Sequence, residues 1–79
     1  MISQEDYINT GLDFLKECGA TGQYSTSLMD NGMLVVVVRN PGWSIKTMSR
    51  IYTDLNTHML EYCRANDLDL FDKVRFFID

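Results

Sequence analysis

Residues 34–38 read Leu-Val-Val-Val-Val and lie between an Asn-Gly pair and the only proline of the chain. Valine favours strands because its branched side chain packs well on a pleated surface. Successive side chains of a strand point to opposite faces, so a strand of this composition is apolar on both faces. Such a strand usually lies in the middle of a sheet whose two faces are both covered. The run therefore predicts the central strand of a small sheet.

The stretch before the valines predicts a β-hairpin. Residues 23–29 are rich in Thr, Ser and Tyr, and they lead into Asn31-Gly32, the strongest short hairpin signal. A two-residue type I′ turn requires positive φ at both central positions. Counting outward from that turn pairs Leu28 with Val35. The predicted pairing then runs one residue at a time along both strands, as far as Tyr24 with Arg39.

A helix is predicted over about residues 4–18. Ser3 suits the N-cap, and Asp6 lies in the position that completes a capping box. Apolar residues follow with helical spacing until Gly19, which suits a left-handed residue after the last turn.

A second, longer helix is predicted to begin after Ser44 and to stop near Asn66, with Trp43 placed to pack on its first turn. Alternation of Val74, Phe76 and Ile78 with more polar residues predicts a final strand. The predicted order is α-β-β-α-β. The fold class is α+β, one domain over residues 1–79, with a hairpin and a C-terminal strand packed by two helices.

Two arrangements of the helices are consistent with the valine strand. One helix could cover each face, which would bury all the valines. Alternatively, both helices could cover one face, as antiparallel α+β domains commonly arrange them. In the predicted hairpin register the second face would expose Leu34, Val36 and Val38, with Met29 and Phe77 as neighbours. A contiguous exposed apolar patch usually marks an interaction site, so that face would dock a partner or a second copy of the chain.

Composition places the chain among folded globular proteins, with 46% apolar and 23% charged residues over 79 positions. The first residues lack the basic and apolar segments of a signal peptide, and no apolar run approaches the length of a membrane span. The two cysteines are far apart and are expected to be free thiols. We therefore expect a soluble, cytoplasmic protein.

No motif for catalysis, metal binding or cofactor binding is present in the sequence. His58 is the only histidine, and no nucleophile can be assigned to it. Cys18 lies near the end of a predicted helix, where the helix dipole raises a thiol pKa. The aspartates of residues 67–72 lack the glycine and the glutamate of a calcium loop. We predict no enzymatic activity and no cofactor.

Basic residues are concentrated in one window of an otherwise acidic chain. Residues 31–53 hold three bases and no acid, although the net charge of the whole chain is −4. The bases and their two aromatic neighbours form the predicted partner-binding edge: Tyr24, Arg39, Trp43, Lys46 and Arg50. Trp and Arg are the residue types most often found as interface hot spots. The same edge could hold nucleic acid, but three bases make a weak phosphate track and the net charge repels a polyanion.

The α-β-β-α-β order resembles that of KH-like RNA binders that begin with a helix, but their Gly-x-x-Gly loop between helices is missing here. In size and charge the chain also resembles phage-encoded inhibitors of host enzymes or defence complexes. The leading interpretation is a non-enzymatic protein-binding module, an inhibitor, adaptor or regulator that occupies a partner's surface. A small nucleic-acid-binding protein that uses the basic edge is the alternative.

Overall fold

Two helices and a three-stranded sheet make up the fold in the computed structural model, which describes residues 2–79. The elements in chain order are α1 (Gln4–Glu17), β1 (Tyr24–Leu28), β2 (Leu34–Val38), α2 (Ile45–Asn66) and β3 (Val74–Ile78). The predicted α+β class and element order are confirmed. The strands lie in the order β1-β2-β3, so the valine strand β2 is central.

Local signals at the helix ends act as predicted. The Asp6 N–H donates to Ser3 Oγ at 3.1 Å, and the Ser3 N–H donates to Asp6 Oδ2 at 3.0 Å. Hydrogen bonds from the Ser3 backbone N–H and then from the Ser3 side chain favour the carboxylate and lower the pKa of Asp6. Ser44 Oγ accepts from the Thr47 N–H at 3.2 Å and begins α2. Asp67, with a left-handed φ of 54°, ends it.

The sheet is mixed. β1 and β2 form an antiparallel hairpin, whereas β3 lies parallel to β2. A parallel neighbour requires a crossover connection, and α2 supplies it between β2 and β3. Val36 is paired with Thr26 on one side and with Phe76 on the other.

The hairpin register differs by one residue from the predicted register. The loop holds three residues, because the Gly32 N–H donates to the Met29 carbonyl at 2.9 Å and the Met29 N–H donates to the Met33 carbonyl at 2.8 Å. Gly32 has a φ of +85°, and Asn31 has no positive φ. This is the three-residue hairpin loop, a type I turn followed by a glycine at positive φ. The predicted type I′ turn is wrong, and Leu28 pairs with Leu34, not Val35.

A shift of one residue in the pairing changes which β1 side chains lie beside the valines, because side chains alternate with a period of two. Thr26 therefore lies beside Val36 in place of Ser27. Val36 and Val38 are buried beneath the helices, with 0% and 1% exposure, and Leu34 lies on the same covered face and is half-buried. The expectation that these three side chains line an exposed face is wrong. Val35 and Val37 take the uncovered face in their place.

Both helices pack on the face that carries the even-numbered strand residues. The Tyr7 ring of α1 lies 6.3 Å from the Phe76 ring, and the Tyr52 hydroxyl of α2 accepts the backbone N–H of Ile78. The second of the two predicted helix arrangements is therefore confirmed. One buried cluster joins the two helices to β2 and β3, and its members are Tyr7, Leu12, Leu15, Val36, Val38, Ile51, Leu55, Met59, Cys63 and Val74.

Gly32→Val is expected to destabilise the fold by about 1–2 kcal/mol, because a side chain opposes the left-handed conformation and a β-branched one does so most. No atom lies within 4 Å of the place where a Cβ on Gly32 would sit, so the cost comes from the backbone alone. Gly32→Asn is the matched control, since asparagine tolerates positive φ, and it is expected to cost less. Thermal melts of the two variants test the turn, and equal stabilities would contradict it.

Candidate partner-binding surface

One face of the sheet has no helix over it, and we call it the open face. It carries the odd-numbered side chains of the three strands and of the residues that extend the strand pairing at one end. The Arg39 N–H extends the pairing of β2 with β1, because it donates to the Gln23 carbonyl at 3.0 Å. The Asn40 N–H extends the pairing of β2 with β3, because it donates to the Asp79 carbonyl at 3.1 Å. The members of the open face are Gln23, Ser25, Ser27, Val35, Val37, Arg39, Arg75, Phe77 and Asp79.

The open face is apolar in its middle and basic on both sides of the middle. Phe77 pairs with Val37 in the central row and leaves 50% of its surface exposed. Arg75 pairs with Val35 in the row on one side, and Arg39 lies in the row on the other side. The neighbouring side chains of β1 on this face are serines, and Val35 and Val37 are half-buried. An apolar strip with no helix over it results between two arginines.

A shallow depression of about 630 Å³ lies at the Arg39 end of the open face and is lined in part by Gln23, Val37 and Asp79. Arg39 Nη1 donates to Gln23 Oε1 at 3.4 Å, a long hydrogen bond that orients the guanidinium group along β1. Asp79 is the only acid of this face. The face therefore holds two arginines against one aspartate in a chain of net charge −4.

Trp43, predicted as an aromatic plate on the basic edge, is half-buried against the core. The indole Nε1 lies 3.7 Å from the place where a Cβ on Gly19 would sit, so the ring packs on the end of α1. Asn40 holds the loop before α2, because its Oδ1 accepts the N–H groups of Gly42 at 2.9 Å and Trp43 at 2.7 Å. The indole therefore has a structural contact.

The remaining residues of the predicted edge are divided among different parts of the molecule. Lys46 and Arg50 are exposed on the first turns of α2, and across residues 2–79 no hydrogen bond joins them to Arg39. Tyr24 pairs with Val38 and not, as predicted, with Arg39, because of the one-residue shift. Tyr24 is 51% exposed and points to the helix side of the sheet. Of the predicted edge, only Arg39 lies on the open face.

The candidate catalytic residues have packing contacts or high pKa values. The His58 ring stacks on Phe14 with the centroids 4.8 Å apart. Partial burial, followed by the carboxylates of Asp54 and Glu17, raises the pKa of Cys18, so the thiol is a weak nucleophile at neutral pH. Among the residues that the structure describes, no three His, Cys, Asp or Glu side chains are placed to hold a metal ion.

Of the nine residues of the open face, only Arg39 is among the predicted site residues, and the other eight include Val35, Val37, Arg75 and Phe77. The serines of β1 share the face of Val35 and Val37, whereas the two-residue turn predicts them beside Val36 and Val38, so the loop length was the information that the Asn-Gly signal lacked. Arg75 could have been found from its place in an alternating strand. Phe77 is predicted as a neighbour of Leu34, Val36 and Val38, but it lies beside Val37 on the opposite face of the sheet.

None of the described helices is both long enough and apolar enough to cross a membrane. Comparison with protein-family models, with curated proteins and with solved structures gives no match for this chain.

Proposed function

We propose that this chain is a non-enzymatic protein-binding module that acts by occupying the surface of another protein, as an inhibitor, adaptor or regulator. The observation that carries the proposal is the open face, on which Val37 and Phe77 lie side by side with no helix over them. Burial of apolar area is the main favourable term in most protein associations. Phe77 is half-exposed in the free protein, so its burial by a partner would contribute favourable free energy to binding.

The charges of the open face indicate the chemistry of the partner. Arg39 and Arg75 lie on either side of the apolar strip, and neither makes an ion pair within residues 2–79. Arginine at the rim of an apolar patch favours carboxylates, which its planar group binds through two hydrogen bonds. The partner surface is therefore expected to present an apolar side chain flanked by Asp or Glu. The acidic remainder of this chain would repel that surface, so the open face also sets the orientation of binding.

Occupation of a surface is the mode of action that suits this chemistry. The depression on the open face is shallow and open, whereas the apolar middle and charged rim of the face match the usual anatomy of a protein interface. An inhibitor, an adaptor and a regulator differ in the identity of the partner and use the same kind of contact.

Phe77→Ser is expected to weaken partner binding by about thirtyfold, the size of a hot-spot loss. Its effect on folding is expected to be small because half of the side chain is already exposed. Proteins captured from cells of the source by the immobilised full chain would be identified by mass spectrometry. Binding of the purified partner would then be measured for both chains. Unchanged affinity in Phe77→Ser would contradict the use of the open face.

Matched charge reversals separate the open face from the predicted basic edge. Arg39→Glu and Arg75→Glu change residues of the open face, whereas Arg50→Glu makes the same charge change on α2. We expect the first two to weaken partner binding and the third to leave it unchanged. The reverse result would place the site on α2. Binding of single-stranded or duplex oligonucleotides that falls steeply with salt would favour the nucleic-acid alternative.

A further inference from the structure

The outer edge of β1 presents backbone groups without partners. The Met29–Met33 and Gln23–Arg39 hydrogen bonds fix which residues of the strand face β2. In an antiparallel ladder these alternate, so Ser25 and Ser27 bond to β2 and the residues between them point outward. The outward N–H and C=O groups belong to Tyr24, Thr26 and Leu28, and no partner for them exists within residues 2–79.

The opposite edge of the sheet, on β3, is largely occupied by the chain itself. The outward N–H of Val74 donates to the Leu70 carbonyl at 3.0 Å, and that of Ile78 donates to the Tyr52 hydroxyl. Proteins commonly block a free edge with charges, prolines or bulges. Residues 23–29 contain none of the charged residues and no proline, and the β1 to β2 pairing is regular from end to end. Two of the three outward N–H groups of β3 are thus occupied, whereas no partner is found within residues 2–79 for any of the three of β1.

Side chains on the helix side of β1 are also uncovered. Val38 lies under the helices, whereas Tyr24, its partner on β1, is 51% exposed and Leu28 is 74% exposed. The helix layer therefore covers β2 and β3 and stops short of β1. A further strand added at this edge would satisfy the backbone groups and would cover these two apolar side chains at the same time.

We propose that the strand added to β1 is β1 of a second copy of this chain, antiparallel and related by a two-fold axis at Thr26. The register is self-complementary. Tyr24 of each copy faces Leu28 of the other, Thr26 faces itself, and each of these pairs exchanges two backbone hydrogen bonds. Aromatic and aliphatic side chains directly opposite one another stabilise a sheet.

Charge at the ends of the strand supports a second copy as the occupant. The Lys16 side chain lies beside Gly22, with its Cε 3.0 Å from the place where a Cβ on Gly22 would sit. Antiparallel pairing brings this end of β1 toward Asp30 of the second copy, which is exposed at the other end of the strand. Neither Lys16 nor Asp30 has an ion-pair partner in the part of the chain that the structure describes. By the two-fold symmetry, Lys16 of the second copy lies near Asp30 of the first copy at the other end of the paired strands.

The dimer is independent of the proposed function. The two copies would form one continuous six-stranded sheet with both open faces on the same side, since the two-fold axis is perpendicular to the sheet. Val37 and Phe77 would remain uncovered. A chain that binds no partner could therefore still dimerise, and a chain that stays monomeric could still bind a partner through its open face.

Sedimentation equilibrium of the full chain tests the proposal, with a mass of twice 9.1 kDa expected. Thr26→Lys places two like charges against each other at the axis and is expected to raise the dimer dissociation constant by about a hundredfold. Thr53→Lys makes the same change on the exposed surface of α2 and is expected to leave it unchanged. Circular dichroism would confirm that both variants fold. A wild-type chain that stays monomeric at millimolar concentration, or a dimer indifferent to Thr26→Lys, would overturn the proposal.

Disulfide crosslinking tests the register. Cα atoms of a hydrogen-bonded antiparallel pair lie ~5.5 Å apart, within the ~4.4–6.8 Å that a disulfide spans. In a Cys18→Ser background, Thr26→Cys is therefore expected to form a covalent dimer when oxidised glutathione is added. Tyr24→Cys is the control, since two such cysteines would lie four residues apart along the strands. Equal crosslinking by both variants would overturn the two-fold axis at Thr26.

Discussion

Val36→Thr is expected to lower the free energy of unfolding by about 1–3 kcal/mol, whereas Val37→Thr, the next residue, is expected to cost less than about 1 kcal/mol. Threonine keeps the branched shape of valine and adds a hydroxyl, which is costly only where it is buried without a partner. Val36 is fully buried beneath the helices, and Val37 lies on the open face. The two variants make the same chemical change in the same strand and differ only in the face.

Urea melts of both variants give the two free energies. Similar losses at the two positions would mean that both faces of β2 are covered, and the open face would then not exist. A larger loss for Val37→Thr would mean that the helices cover the odd-numbered face of β2 instead. Either result would also remove the support for the proposed function.

Gly11→Ala is expected to destabilise the protein by about 1–3 kcal/mol, the usual cost of overpacking a core. In most helices the same substitution stabilises the protein, because alanine has a helix propensity more favourable than that of glycine by about 1 kcal/mol. In α1, however, a Cβ on Gly11 would lie 2.3 Å from Cζ of Phe76. The glycine lets the helix backbone approach the ring of β3 directly.

Phe76→Leu supplies the control for this prediction, because it removes the far end of the ring that the new methyl group would meet. In that background Gly11→Ala is expected to stabilise the protein, so the sign of the effect reverses. Thermal or urea melts of the four chains complete a double-mutant cycle. Stabilisation by Gly11→Ala in the wild-type background would show that α1 does not lie against Phe76.

Local features of the sequence were sufficient to predict the elements. Ser3 and Ser44 begin the helices through short-range hydrogen bonds, and such caps depend on residues only three positions away. The break at Asn40-Pro41 and the alternation after Val74 were likewise visible in the sequence, and the resulting order α-β-β-α-β is correct. The valine strand lies in the centre of the sheet, as its composition favours, but only one of its two faces is covered by helices.

Prediction of the candidate site failed on which face of the valine strand is covered. Asn31-Gly32 marks a turn but does not determine whether two or three residues form the loop, so the predicted register places Ser25 and Ser27 beside the wrong valines. In most strands polar and apolar residues alternate, and the polar residues identify the exposed face whatever register is predicted. Residues 34–38 cannot do so, because all five are apolar. The assigned site residues Val36 and Val38 therefore lie in the core.

The sequence by itself determined the two helices, the three strands and their order, because caps, breaks and periodicity act over a few residues. Only the tertiary structure decided which valines are covered. Both faces of the valine strand are equally apolar, so its sequence does not indicate the face on which the two helices pack. Packing of Tyr7 and Gly11 against Phe76 places α1 on the even-numbered face, and the α2 crossover lies on that face too. Val35, Val37 and Phe77 are left uncovered for that reason.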